Sequence, residues 1–381
     1  MIPLSADDLA RLQSQRWEEH PEYQGVKTTT REGLVGGRTV LAKRSDGRCV
    51  FLTEENRCRI HELHGEAAKP AVCRMFPLQV VPLEEHAVIT PRRSCPTAAA
   101  DEGPAIKEQL PELKRSGLFS TRRRNAPPIV RSLPGDWKSF SAAGAALQRL
   151  ICDERIPMVR RLIHGLQFAS LLDDAKFKKV DDEALNALIE LLAGVATEGA
   201  GEYFTDRQPA SAAAASLFRQ AAAHYVRVHP GFQATNTWGE RWRMMWTSLA
   251  FTRGRGEVPP VHPEFPAATF DELERPLGAL DETVARPLNR FIETHAVSKQ
   301  YALVGAGGRT LVENFRLLAL SFPIAMWLLR WAVGDREPET KDMIDIVVAL
   351  ERGRGVPSIA RSAGAMGQSG QLPRLVAWYA R

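Results

Sequence analysis

RCVFLTEENRCRIHELHGEAAKPAVCRMFPLQVVPLEEHAVITPRRSCP, residues 48–96, holds four of the five cysteines of the chain: Cys49, Cys58, Cys73 and Cys95. Gaps of eight, fourteen and twenty-one residues separate them. Cysteine used only for packing behaves as a small buried hydrophobe and would be scattered through a 381-residue core. Here it is concentrated in one segment that has no long apolar run of its own. A unit of that size draws its cohesion from disulfides or from bound metal.

The N-terminus, MIPLSADDLARLQ, shows neither a basic nor an apolar leader region, so the expected compartment is the cytoplasm. Thiols stay reduced there, and clustered cysteines point to metal or catalysis before disulfides. Four thiolates suit tetrahedral zinc and equally the four-cysteine ligation of an iron–sulfur cluster. No CxxC pair occurs, so the spacing selects neither. Unligated core thiols are the main competing reading, with disulfide or redox chemistry third. Arg48, Arg57, Arg59, Arg74, Arg92 and Arg93 flank the cysteines. Cations so placed are expected to lower thiol pKa values and favour the metal-binding thiolate; an arginine-rich surface is the plainer alternative. His61, three residues after Cys58, could replace one sulfur, although a surface histidine on a short helix is the simpler account.

The run GRCVFL (47–52), CRIH (58–61), KPAVCRMFPL (69–78) and a further cysteine resembles the second half of the YkgJ-type cysteine-cluster family. This is a zinc- or iron-chelating domain that also occurs in flagellin lysine-N-methylase. The family pattern runs G-x-C-x-F-L, C-x-I-Y, R-P-x-x-C-R-x-[FY]-P. Gly47, Cys49, Phe51, Leu52, Cys58, Ile60, Pro70, Cys73, Arg74, Phe76 and Pro77 match it, while His61 replaces the usual aromatic and Lys69 the usual arginine. The likeness covers about residues 1–100. The first half of the family pattern, a C-x-x-C-x-x-C-C-type segment, has no counterpart; IPLSADDLARL resembles the piece that comes directly after that segment, so a start codon further upstream is expected. The resemblance implies a metal or iron–sulfur cluster on Cys49, Cys58, Cys73 and Cys95. Through the methylase it also implies S-adenosylmethionine as a cofactor and a protein substrate such as flagellin.

Outward from this segment the chain reads as α+β. A small mixed α/β cysteine-rich module is expected over residues 1–100, a linker over 101–135 and a larger, irregular all-α domain over 136–381. With 44% hydrophobic and 25% charged residues the composition is that of a soluble globular protein. A net charge of +5 is too mild to imply nucleic acid. Residues 5–19 read as a helix capped by Ser5. Short strands are expected between 26 and 51 and over 76–81 and 86–90, and a helix over about 105–116. Arg122–Arg124 reads as a solvated linker or as a contact for an anionic partner.

Beyond residue 136, three- and four-residue apolar spacing predicts seven to nine helices. Cys152 falls within that periodicity and reads as a buried structural thiol. Trp238, Trp242 and Trp246 recur at i, i+4 and i+8 on one helical face, which predicts a core stripe; an aromatic wall for a cofactor or a lysine is the functional alternative. No strand precedes Gly305–Gly308, so it reads as a turn between helices. Residues 317–333 are the most hydrophobic run, broken by Pro323 and Arg330, and predict a buried helix and not a membrane span. The Gly- and Ser-rich tail is expected to be partly mobile. No nucleophile elbow, P-loop or HExxH motif occurs.

Overall fold

The computed structural model describes residues 2–32, 37–115, 125–175, 177, 182–205, 208–229, 238–354 and 356–381. A small mixed N-terminal region is followed by a larger helical one, with 59% of residues helical and 7% in strands. That is the α+β class the residue pattern predicts. The chain forms two compact units, a first built on Met1–Gln79 and a second on Val80–Glu108 and most of the chain beyond.

In the first unit, helix α1 (Ala6–Ser14) begins at Ser5 in a reciprocal cap: the Asp8 amide donates to the Ser5 hydroxyl and the Ser5 amide to the Asp8 carboxylate. It ends sooner than the sequence suggests. Arg16 turns into the left-handed region at φ 48°, and a 3-10 turn, Trp17–Glu19, comes next. Strands β1 (Thr29–Glu32) and β2 (Arg38–Leu41) pair antiparallel with Thr29 opposite Leu41. The run CVFL is not a strand; it is held by isolated bridges, Lys43 to Cys49 and Leu52 to Cys58. Helices α2 (Arg59–His64) and α3 (Ala71–Met75) complete the unit. Its core is small: Leu12, Trp17, Tyr23, Leu41, Ala42, Val50, Phe51 and Ile60. Trp17 is its centre, with ring centroids 4.6 Å from Phe51 and 4.9 Å from Tyr23. Three cysteines, Cys49, Cys58 and Cys73, pack against this core.

Strands β3 (Leu78–Pro82) and β4 (Ala87–Pro91) form a second two-stranded sheet, where the alternation placed them. Helix α4 (Pro96–Ala99) is part of the second unit. That unit is organised by the 23-residue helix Leu311–Val333. By length and composition this helix could cross a membrane, but 89% of its most apolar window is buried inside the unit. Helices Met158–Asp174, Pro357–Gln368, Gln371–Tyr379 and Thr340–Gly353 pack on it.

Two expectations fail here for identifiable reasons. Among the described residues, ten helices of nine or more residues lie beyond position 136, more than the seven to nine expected. The excess lies in the tail, which folds into Pro357–Gln368 and Gln371–Tyr379. One of its glycines allows close packing: a Cβ on Gly367 would lie 2.4 Å from Arg316 Cδ. The tryptophan stripe is not core. Trp242 and Trp246 are 53% and 61% exposed; the buried face of their helix runs through Thr247 and Phe251, one residue or about 100° further round. The Trp238 side chain and the run 122–124 lie outside the described residues.

Candidate metal centre

The geometry of the cysteine site is set by how its loops are tied down. Cys49 sits in a turn fixed by the Val50 amide donating to Ala42 O and the Leu52 amide to Cys49 O, both at 3.0 Å. Cys58 occupies the N-cap of α2, and the Arg59 amide reaches back to Phe51 O at 2.9 Å. These bonds bring Cys49 and Cys58 together on the two sides of the Phe51 turn. Cys73 arrives from a different direction, inside α3.

A single carboxylate docks α3. Asp8, on α1, is 4% exposed and accepts the Ala71 amide at 2.9 Å and Arg11 Nη1 at 3.0 Å. Burial alone would raise its pKa, but the Ala71 and Ser5 hydrogen bonds and Arg11 outweigh it and hold Asp8 below its ordinary value. Gln15, at the C-cap of α1, donates to Ala68 O at 3.0 Å and accepts from the Trp17 indole at 2.8 Å. The segment leading to Cys73 is thereby tied to α1 and to the aromatic core.

All three thiols are free and half-buried. They are near enough to sense one another's charge. Burial raises the Cys49 pKa and the neighbouring Cys58 raises it further, against a hydrogen bond from the Phe51 amide. Cys73 is pushed up to about 11, by burial first and then by Cys49 and Cys58. The sulfurs do not all lie within 4.8 Å of one another. Cys95 belongs to the second unit, where it is the half-buried N-cap of α4.

The expected lowering of thiol pKa by flanking arginines is overturned for Cys49 and Cys73. Carboxylates engage the nearby guanidinium groups: Arg48 with Asp46 at 2.7 Å, Arg57 with Glu62 at 3.0 Å, and Arg59 with Glu22 at 2.7 Å. His61 is exposed on α2. In the second unit Cys152 is half-buried at the C-cap of helix Trp137–Ile151, packed against the main core, and burial raises its pKa.

Three reduced sulfurs on the surface of a small core, supplied by two turns and a short helix, form a donor set that suits a thiophilic ion. Residues 2–96 match the CxxCxxCC family. That family is described as a "Putative zinc- or iron-chelating domain", and the match covers about a quarter of the chain, all four clustered cysteines included. No curated protein and no solved structure matches the chain.

Proposed function

We propose that this is a metal-binding protein of the YkgJ-type cysteine-cluster kind, in which Cys49, Cys58 and Cys73 ligate zinc or the iron of an iron–sulfur cluster. Cys95, the remaining cysteine of the matched segment, lies in the second unit and is not part of the ligand set proposed for the first. The observation that carries the reading is the gathering of three free thiols from separate elements against the core of Trp17 and Phe51.

Bound metal would take the place of the thiol protons, and its charge would offset the repulsion that now raises Cys49 and Cys73. The chain's own residues supply the rest. Asp8 fixes α3, the Leu52–Cys58 bridge fixes the spacing of Cys49 and Cys58, and the core below keeps water from one side. Among the described residues no specific feature favours the S-adenosylmethionine-dependent lysine methylation implied by resemblance, so metal binding is the function we advance.

Anaerobic purification with metal and acid-labile sulfide analysis tests it. One thiolate-bound zinc or iron–sulfur equivalent per chain, lost in Cys49→Ser, Cys58→Ser and Cys73→Ser, is expected. Full retention of metal in all three variants would reject the assignment.

A further inference from the structure

We infer that the second unit carries a separate site for a divalent transition-metal ion, built from His229, His262 and Glu264. This inference is independent of the cysteine reading. Ligand atoms of the three residues lie within 4.8 Å of one another, and they are the one such trio among the described residues. Both imidazoles are buried, 7% and 4% exposed, whereas Glu264 reaches solvent. His229 Nδ1 stands 3.8 Å from Glu264 Oε2. The two imidazoles meet edge to face with centroids 5.1 Å apart.

The setting is anchored on several sides. His229 lies just past helix Ala212–Val226, its amide donating to Val226 O. His262 and Glu264 flank Pro263 in a loop closed by the Val258 amide on Ala268 O at 2.8 Å. Pro266 O of that loop accepts the Trp331 indole of the central helix at 2.8 Å. Phe265 walls the pair, its ring centroid 5.0 Å from His229 and 5.4 Å from His262. Ligands on a braced loop and a helix end, with an apolar wall behind them, hold their spacing before the ion arrives.

Two imidazoles and one carboxylate suit zinc or ferrous iron and leave further coordination positions open for water or an added ligand. The Glu264 amide donates to His262 Nδ1 at 3.1 Å, which puts the metal-free ring's proton on Nε2. Coordination through Nδ1 exchanges this bond for a metal–nitrogen bond. The ion stays reachable through Glu264, 60% of whose side chain is exposed.

Cobalt(II) titration of the full chain tests the site, using Glu264→Gln, which replaces an exposed side chain, and His262→Gln. Wild type should bind one cobalt equivalent that Glu264→Gln binds at least about 100-fold more weakly, a loss no smaller than that seen when a supporting residue around a metal is removed. The difference spectrum should show weak ligand-field bands without sulfur-to-cobalt charge transfer. The cysteine variants should lose the charge-transfer bands and keep this equivalent. Equal uptake by wild type and Glu264→Gln, with circular dichroism unchanged, overturns the site. So does a difference spectrum dominated by thiolate bands. Should His262→Gln fail to fold, the Glu264→Gln comparison decides alone.

Discussion

Asp8→Ala is the substitution that most directly tests how the cysteine site is held. Asp8 is not near Cys73 in sequence, yet its carboxylate is the acceptor for the first amide of the helix that carries Cys73. Alanine leaves the Ala71 and Ser5 amides without that acceptor and Arg11 without its partner. An orphaned part-buried donor costs about 1–3 kcal/mol, and bonds to a charged group lie at the upper end. Loss of half a reciprocal helix cap adds roughly 0.5–1 kcal/mol. The sum is about 3 kcal/mol, or about two orders of magnitude in the local opening equilibrium. Hydrogen exchange over residues 69–78, with the alkylation rate of Cys73 in parallel, reads that opening. Both should accelerate about 100-fold in Asp8→Ala and much less in Asp8→Asn, which retains an acceptor for Ala71.

The pH dependence has a definite sign. Asp8 has a folded pKa below its unfolded value of 3.8. Its contribution is therefore complete above about pH 3.8 and is lost as the pH falls through the lower folded value. Wild type should show this acid-side loosening and Asp8→Asn should not. Exchange and alkylation in Asp8→Ala within twofold of wild type would refute the claim that this carboxylate docks α3.

Glu351→Gln should be among the most damaging changes in the second unit. Burial would raise Glu351, but His295, Arg354 and Arg92 hold it down to about 2, and removing its charge strands the half-buried Arg354 beside His295. A loss of about 3 kcal/mol or more in urea unfolding is expected. Trp242→Ser and Trp246→Ser, by contrast, should shift stability by no more than about 0.5 kcal/mol, because both indoles are already in solvent. A larger loss in the same assay would restore the core-stripe reading.

Local signals are legible where a short window contains the cause. The cap at Ser5, the strands at 78–82 and 87–91 and the turn at Gly305–Gly308 all depend on neighbours in sequence. The clustering of Cys49, Cys58 and Cys73 is legible too, because thiols so concentrated have few uses. The hidden features depend on distant partners. Arg59 is paired by Glu22, 37 residues away, and nothing in the run RCRIH announces that. A tryptophan spacing of four identifies a face but not the direction it points, and the buried face is its neighbour. Gly353 and Gly367 in the tail mark close helix contacts that composition does not announce. The trio His229, His262 and Glu264 leaves only a faint trace, a His-Pro-Glu in a proline-rich loop and a histidine 33 positions earlier.

The electrostatics of the first unit fit the proposed metal site better than a nucleophilic thiol. A nucleophilic cysteine is kept as thiolate by a cation or a helix end aimed at the sulfur. Here the available arginines are turned to Asp46, Glu62 and Glu22, and burial with mutual repulsion drives Cys49 and Cys73 upward, the latter to about 11. Burial and the neighbouring sulfurs therefore disfavour the thiolate at Cys49 and Cys73. The unfavourable part of their ionisation comes first from burial and then from having more than one negative sulfur nearby, which Arg44 beside Cys49 and Lys69 beside Cys73 offset only in part. Under the proposed reading a divalent ion or a cluster iron would offset that cost by adding positive charge beside the thiolates. An arrangement that disfavours a lone thiolate at Cys49 or Cys73 would in that way favour a shared cation.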